Sequence, residues 1–324
     1  MLRLIVRRLL VIVPTLLAVT FIVFMLMKLD QTDPAVTAAG GTLSATPERI
    51  AEARKALHLD DPVLSQYWRW LKDAVQGDLG QSYTRCVPER PCATTVADEL
   101  ASRVPVTLGL IGIATLFALL FAVPLGILSG LRPNGAVDRG ARVFASLAIA
   151  VPGFVLAPFL KGLFAVELGW LPPQGYVRLG EDPLQWLRFI VLPAVALAVG
   201  IGAAVTRQLR GALVDELDTN HIRTSWAIGG GTRRVVGRHG LKNASIPAIT
   251  ILGLQVAALV GGAVIIEQIF VIPGVGQSLI AAIVSGDAPT IQGCAVVLVI
   301  VAITMSLIVD ILYALLNPKV RVTG

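Results

Sequence analysis

Four ionisable side chains, Lys161, Glu167, Glu267 and Asp310, fall inside or at the margins of long apolar runs. Burying a charge in hydrocarbon is costly, so such groups either mark a functional site or pair with one another across helices. Glu167, Glu267 and Asp310 stand near the ends of their runs, within reach of water, whereas Lys161 is deep. A second chemical signal is CVPERPC, with Cys86 and Cys92 at its ends. In an oxidising compartment these two are expected to close a small disulfide loop. A metal pair is the rival reading, but no histidine or further cysteine pair lies nearby to complete it. Cys294 sits in an apolar run and reads as packing. His58, His221 and His239 fall in unrelated places and form no ligand cluster.

Catalytic signatures are missing. No lysine follows a glycine anywhere, so the phosphate-cradling loop of ATP-hydrolysing proteins is absent and the chain hydrolyses no ATP of its own. No Ser/His/Asp or Cys/His order comes with an elbow motif, no carboxylate pair occupies a plausible cleft, and no repeat of fixed period occurs. The expectation is a non-enzyme with no cofactor or metal bound by this chain.

The elements that must carry these residues belong in a bilayer. A chain of 324 residues with 55% hydrophobic and 15% charged side chains and a mean hydropathy of +0.76 cannot hide its apolar surface in one soluble core. Six stretches approach the roughly 20 residues needed to cross a bilayer: about 9–27, 104–131, 143–166, 186–205, 246–272 and 291–316. The fold class expected is therefore an all-α membrane protein with six transmembrane helices. Basic residues of the short loops set the topology. Segments on one side hold Arg3, Arg7, Arg8, Arg132, Arg139, Arg142, seven residues between 207 and 242, Lys319 and Arg321, while the two short loops on the other side hold only Arg178 and Arg188, the long loop at 28–103 being largely exempt from the rule. Both termini are then cytosolic, in a multi-pass protein of the cytoplasmic membrane. A net charge of +6 reports this topology rather than a nucleic-acid partner, since there is no basic helix or aromatic platform for one. The first run lacks a cleavage site and reads as a retained signal anchor.

Two domains follow: 1–103, a signal-anchor helix with a long external loop, and 104–324, a five-helix core that includes a cytoplasmic loop at 206–247. In the external loop, Thr46-Pro47-Glu48 and Asp61-Pro62 each start a helix. Ile50, Ala53 and Leu57 line one face of the first. Leu64, Tyr67, Trp68, Leu71 and Val75 line one face of the second, so both are expected to lie on the outer membrane surface.

The segment 207–247 reads RQLRGALVDELDTNHIRTSWAIGGGTRRVVGRHGLKNASIP. Asp218, Thr219 or Asn220 can cap a helix over about 221–228, and Gly229, Gly230 and Gly231 end it. Thr232 starts a second short turn, and Pro247 is expected in the first turn of the fifth span.

HIRTSWAIGG followed by RRVVGRHGLKNASIPAIT resembles the cytoplasmic loop motif of permease subunits of ABC importers, in the version carried by the dipeptide and oligopeptide permease family. Matching positions are Arg223, Thr224, Ala227, Gly229, Arg233, Arg234, Arg238, His239, Leu241, Asn243, Ala244 and Pro247. Ser225, Trp226 and Ile228 depart from the pattern, where Ala, Arg and Lys are usual, as does Gly230-Gly231. MLRLIVRRLLVIVPTLL, TDPA, LDDPVLSQYWRWL, GDLGQSY and LGWLPPQGY are further matches. So is GGAVIIEQIFVIPGVGQSLIAAIVSGDAPTIQG, with DAP where DYP is usual.

The resemblance implies a type I ABC importer permease fold and half of a translocation pathway for di- or oligopeptides. Partners implied are a second related permease subunit, ABC ATPase subunits that use ATP and Mg²⁺, an external substrate-binding protein, peptide substrate and membrane lipid. Arg223, Thr224, Ser225, Trp226, Ala227, Gly229, Arg233 and Arg234 are the expected ATPase-coupling residues, and Glu267, Pro273, Gly274 and Asp287 are gate or pathway candidates. Nickel, glutathione or another small solute is the alternative cargo. A secondary carrier working without an ATPase is the alternative class, but it needs coupling-ion residues that are not evident.

Overall fold

A computed structural model describes residues 2–29, 33–41, 45–85 and 94–316. Every regular element among them is helical, which suits a bilayer because a helix satisfies its own backbone polar groups. In chain order they are α1 (Leu2–Leu29), α2 (Pro34–Ala38), α3 (Pro47–Ala56), α4 (Val63–Val75), α5 (Val96–Leu131), α6 (Ala136–Ala150), α7 (Gly153–Leu160), α8 (Pro183–Leu217), α9 (Asn220–Ala227), α10 (Thr232–Arg234), α11 (Leu241–Phe270), α12 (Val275–Ser285) and α13 (Ala288–Leu316). Turns of π-type bonding extend α7 through Lys161–Glu167 and lead into α11 through Val235–Gly240. Five helices are long and apolar enough to cross a membrane, or six if α6 and α7 together make one crossing.

Three boundaries differ from the sequence expectation. The third span is not straight: α6 and α7 meet at 100°, because Pro152 disfavours helical backbone at the residue before it and Val151 is extended (φ −99°, ψ 112°). The fourth runs much further than 186–205. Asp182 caps α8 by accepting from the Leu184 and Gln185 amides at 3.0 Å, and the helix continues for 35 residues, so the stretch 207–217 is helix rather than loop. Pro247 lies inside α11 instead of in its first turn, since the π-type turn already starts the helical path upstream.

The described chain forms two compact units. One is built on Gly109–Val271 with α13 from Ala302, the other on Leu9–Leu108 and Ile272–Val301. The first is organised around α8, which packs on α11, α6 and α7, and 67% of whose most apolar stretch is buried. Small residues bring its neighbours close. On α5, a Cβ at Gly130 would lie 2.9 Å from Leu213 Cδ2, and on α7 a Cβ at Gly153 would lie 2.9 Å from the Ala196 carbonyl. Ala145, Ala148 and Ala203 make the α6–α8 contact.

In the second unit, Leu79, Val96, Leu100, Val275 and Cys294 form the core. There α4 docks on α1 through Tyr67, one residue of the face its spacing suggests, and through Gln66, which lies outside that face. Tyr67 is buried between the Phe21 and Phe24 rings, at 5.2 and 5.6 Å, and its hydroxyl meets Thr20 Oγ1 at 3.0 Å. Gln66 accepts from Lys28 Nζ at 2.7 Å, while Leu64, Trp68 and Val75 are exposed. A polar anchor, not the apolar stripe, chooses the docked side.

Candidate functional site

The segment 206–247 is built around α9. Thr219 holds the N-cap position, but its hydroxyl does not cap. It donates to the Glu216 carbonyl at 2.6 Å and lies 3.1 Å from His221 Nδ1. At the other end, the Gly230 amide bonds the Ser225 carbonyl and the Gly229 amide bonds the Trp226 carbonyl, both at 3.0 Å, with Gly229 at φ +83°. This is a Schellman closure, which needs a left-handed residue that glycine takes without strain. Gly230 is equally constrained: a Cβ there would sit 2.5 Å from the Ser225 carbonyl oxygen. The departure at Gly230 is thus a packing requirement.

One residue anchors α9 inward. Ile222 is fully buried, while Trp226 is 40% and Ile228 82% exposed. Arg223 pairs with Asp218 at 2.5 Å, with both side chains mostly in the open, so the pair holds α9 only weakly. Thr224 and Ser225 turn their hydroxyls back onto the Asn220 and His221 carbonyls, and Ala227 ends the helix. Arg233 and Arg234 lie on α10, with Arg234 exposed. The tip of the segment therefore presents an apolar, partly aromatic surface on a rigid turn.

Beneath it, Leu209, Leu213, Ala244 and Ala248 join α8 to α11. Two acids that sequence reasoning did not single out organise this region. Asp138, fully buried, receives both prongs of Arg210 at 2.9 Å and the Asn134 amide at 2.8 Å, linking α6 to α8. Its only sequence signal is that it is the one acid among Arg132, Arg139 and Arg142. Glu216 accepts from Asn243 Nδ2 at 2.7 Å and meets His221 Nε2 at 3.1 Å.

The gate candidates divide between the units. In the second unit, Asp287 is 1% exposed and caged by donors: Ser82 Oγ at 2.5 Å, the Tyr83 amide at 2.9 Å, Thr290 Oγ1 at 2.8 Å and Thr84 Oγ1 at 3.3 Å. Burial beside that carboxylate pushes the Tyr83 phenol up to about 12. The start of α12 is held as well. The Val275 amide donates to Thr107 Oγ1 at 2.9 Å, Arg103 donates to the buried Gly274 carbonyl, and Ser278 donates to Glu99 at 3.0 Å. Glu99 in turn pairs with Arg85 and Arg103. Pro273 is exposed beside this anchored turn. The GDLGQSY and DAP motifs, some 205 residues apart, are two halves of one latch.

In the first unit, Glu267 is fully buried, contrary to the expectation that water reaches it, because it lies on the face of α11 that also buries Ala263, Ile266 and Phe270. Lys161 donates to the Ile269 carbonyl at 3.0 Å, with its ammonium 5.9 Å from the Phe270 ring centre. A cation so placed satisfies the open carbonyls at the end of α11. Glu167 is exposed at the end of its helix, and Asp310 lies on α13. Cys86 and Cys92 lie outside the described residues. No group of three or more His, Cys, Asp or Glu that could hold a metal occurs among the described residues.

Comparison with known proteins bears on what such a scaffold does. Residues 122–322 match the family described as binding-protein-dependent transport system inner membrane component, and residues 1–111 match its N-terminal membrane component model. A putative peptide transport system permease of Brucella abortus (strain 2308) is 36% identical over 99% of both chains. The glutathione transport system permease GsiC of Escherichia coli (strain K12) is 37% identical, again over 99% of both. The permease chain of the MetNI methionine ABC transporter, in inward-facing form, superposes with a TM-score of 0.54 at 20% identity, covering 68% of this chain and 96% of that one. That likeness is one of fold, and with the full-length relatives it makes this chain a member of the binding-protein-dependent transport system inner membrane component family, a multi-pass permease subunit of an ABC importer.

Proposed function

We propose that this subunit forms half of a peptide-conducting pathway and is driven through α9 by a separate ATPase. The carrying observation is the tip of 206–247: a helix anchored by Ile222 and closed by Gly229 that leaves Trp226 and Ile228 in the open. An apolar, preorganised projection of this kind suits insertion into a cleft on another protein. Arg223, Thr224, Ser225, Trp226, Ala227, Gly229, Arg233 and Arg234 make up the contact region. ATP and Mg²⁺ belong to the ATPase subunits. The excess of basic residues in 206–247 and near both termini supports a cytosolic location for all three.

In this reading 1–103 supplies a signal anchor and an external loop, and 104–324 supplies a five-helix core with its cytoplasmic segment. An external substrate-binding protein delivers cargo, and a related permease supplies the other half of the pathway. Glu267 is a pathway candidate of the first unit, and Pro273, Gly274 and Asp287 are gate candidates of the second, where Asp287 acts as an anchor rather than a ligand. Peptide cargo is supported by the Brucella relative, and glutathione, itself a small peptide, is a second reading supported by the GsiC match.

The test is reconstitution of the complete transporter in vesicles. Arg223→Ala and Gly229→Val are expected to insert normally but to hydrolyse ATP with little uptake of labelled peptide. Normal uptake by both would refute the lever reading. Competition between di- to pentapeptides and glutathione identifies the cargo.

A further inference from the structure

The polar contacts that tie His221, at the start of α9, to the long helices converge on one side chain. Glu216 closes α8, His221 opens α9 and Asn243 stands in the first turn of α11. Glu216 Oε1 alone meets both His221 Nε2 at 3.1 Å and Asn243 Nδ2 at 2.7 Å. The Glu216 carbonyl receives the Thr219 hydroxyl at 2.6 Å and the Thr219 amide at 3.2 Å, which sets the turn between α8 and α9. The Glu216 side chain is only 17% exposed, in contrast to the open Arg223–Asp218 pair.

Resting on the reading of α9 as the coupling helix, we infer that Glu216 is the positioning residue through which a displacement of α9 reaches α8 and α11 together. The physical reason is the division between packing and polar contact. The helices α8 and α11 already move as one body through Leu209, Leu213, Ala244 and Ala248. The short α9 adds one buried apolar anchor, Ile222, which resists withdrawal but does not fix the helix direction. Hydrogen bonds do fix direction, and those that tie His221 to the spans end on Glu216. Beside them lies a polar cavity of about 420 Å³ bordered by Arg207, Gln208, Asp215, Thr219, Asn243 and Pro247. Packing of α9 falls mainly on the Val235–Gly240 turn that leads into α11, and the Glu216–His221 contact adds the direct polar tie to α8. Neither His221 nor Glu216 carries any part of the exposed Trp226 and Ile228 surface, so the link is separable from docking.

The experiment measures peptide taken up per ATP hydrolysed by the assembled transporter in vesicles, with complex yield read in parallel. Glu216→Ala is expected to lower that ratio about ten- to a hundredfold, the scale of losing a hydrogen bond to a charged acceptor, while ATP hydrolysis and assembly persist. Glu216→Gln keeps an acceptor oxygen and is expected to retain most of the ratio. A merely structural role would instead lower yield and hydrolysis together and leave the ratio of surviving complexes unchanged. Trp226→Ala serves as the docking control. If it lowers the ratio and Glu216→Ala does not, the link is refuted and the coupling helix stands; if neither does, both readings fall. Should Glu216→Ala fail to assemble, His221→Ala and Asn243→Ala each remove one bond, and an unchanged ratio in both overturns the inference.

Discussion

Replacing Asp287 separates an anchor from a pathway ligand, and the cage predicts how much each replacement costs. The carboxylate is 1% exposed and receives one backbone amide, from Tyr83, and three hydroxyls, from Ser82, Thr84 and Thr290. A hydrogen bond to a charged group contributes about 1.5–3 kcal/mol, and neighbours sharing one acceptor are not additive. Asp287→Ala is therefore expected to destabilise by about 3–5 kcal/mol, since it strands buried donors as well as removing bonds. Asp287→Asn is expected to cost only about 1–2 kcal/mol. Its oxygen can face the Tyr83 amide, which can only donate, while its NH₂ faces hydroxyls that rotate to accept. Thermal denaturation of the purified complex gives the energies, and amide exchange at Tyr83 reports the latch itself. Equal effects of Ala and Asn, or both within about 0.5 kcal/mol of wild type, would refute this account of the cage.

Three further outcomes follow from the same structure. Arg210→Ala leaves Asp138 buried with its bidentate partner gone, and is expected to lose about 3–5 kcal/mol by denaturation, more than the double change to neutral residues. Gly130→Ala puts a methyl 2.9 Å from Leu213 Cδ2, and is expected to cost about 1–3 kcal/mol by the same measurement, with Leu213→Ala compensating in part. Tyr83 keeps its proton up to about pH 12 in the folded chain against about 10 when unfolded. Its contribution is thus full below pH 10 and is lost as pH rises from 10 to 12. Tyr83→Phe is expected to flatten that part of the stability curve, as read by denaturation at stepped pH.

Much of the architecture was legible before folding was considered. Apolar run length identified the spans, because a bilayer demands about 20 residues per crossing. Local turn chemistry placed α3, α4 and α9 within a few residues, because caps, prolines and glycines act over one helical turn. Gly229 is the clearest case: its left-handed φ of +83° is what a Schellman closure requires at that step. Family resemblance extended this to the type of transporter.

What the chain could not announce linearly is which polar groups meet. Ser82 and Asp287 are joined across some 205 positions, and Asp138 and Arg210 across 72. A carboxylate in a sequence looks the same whether it will be caged or solvated. The spacing of α4 pointed to a stripe of Leu64, Tyr67, Trp68, Leu71 and Val75, yet only Tyr67 of these docks on α1, joined by Gln66 from outside the stripe, because Thr20 and Lys28 on that helix offer them partners. The composition determined a bundle of membrane helices and local motifs determined where they start and stop, since both are short-range consequences of solvent and backbone. Only the tertiary structure decided the latch at Asp287, the pair at Asp138 and the junction at Glu216, because charge burial is settled by whatever the fold brings within 3 Å.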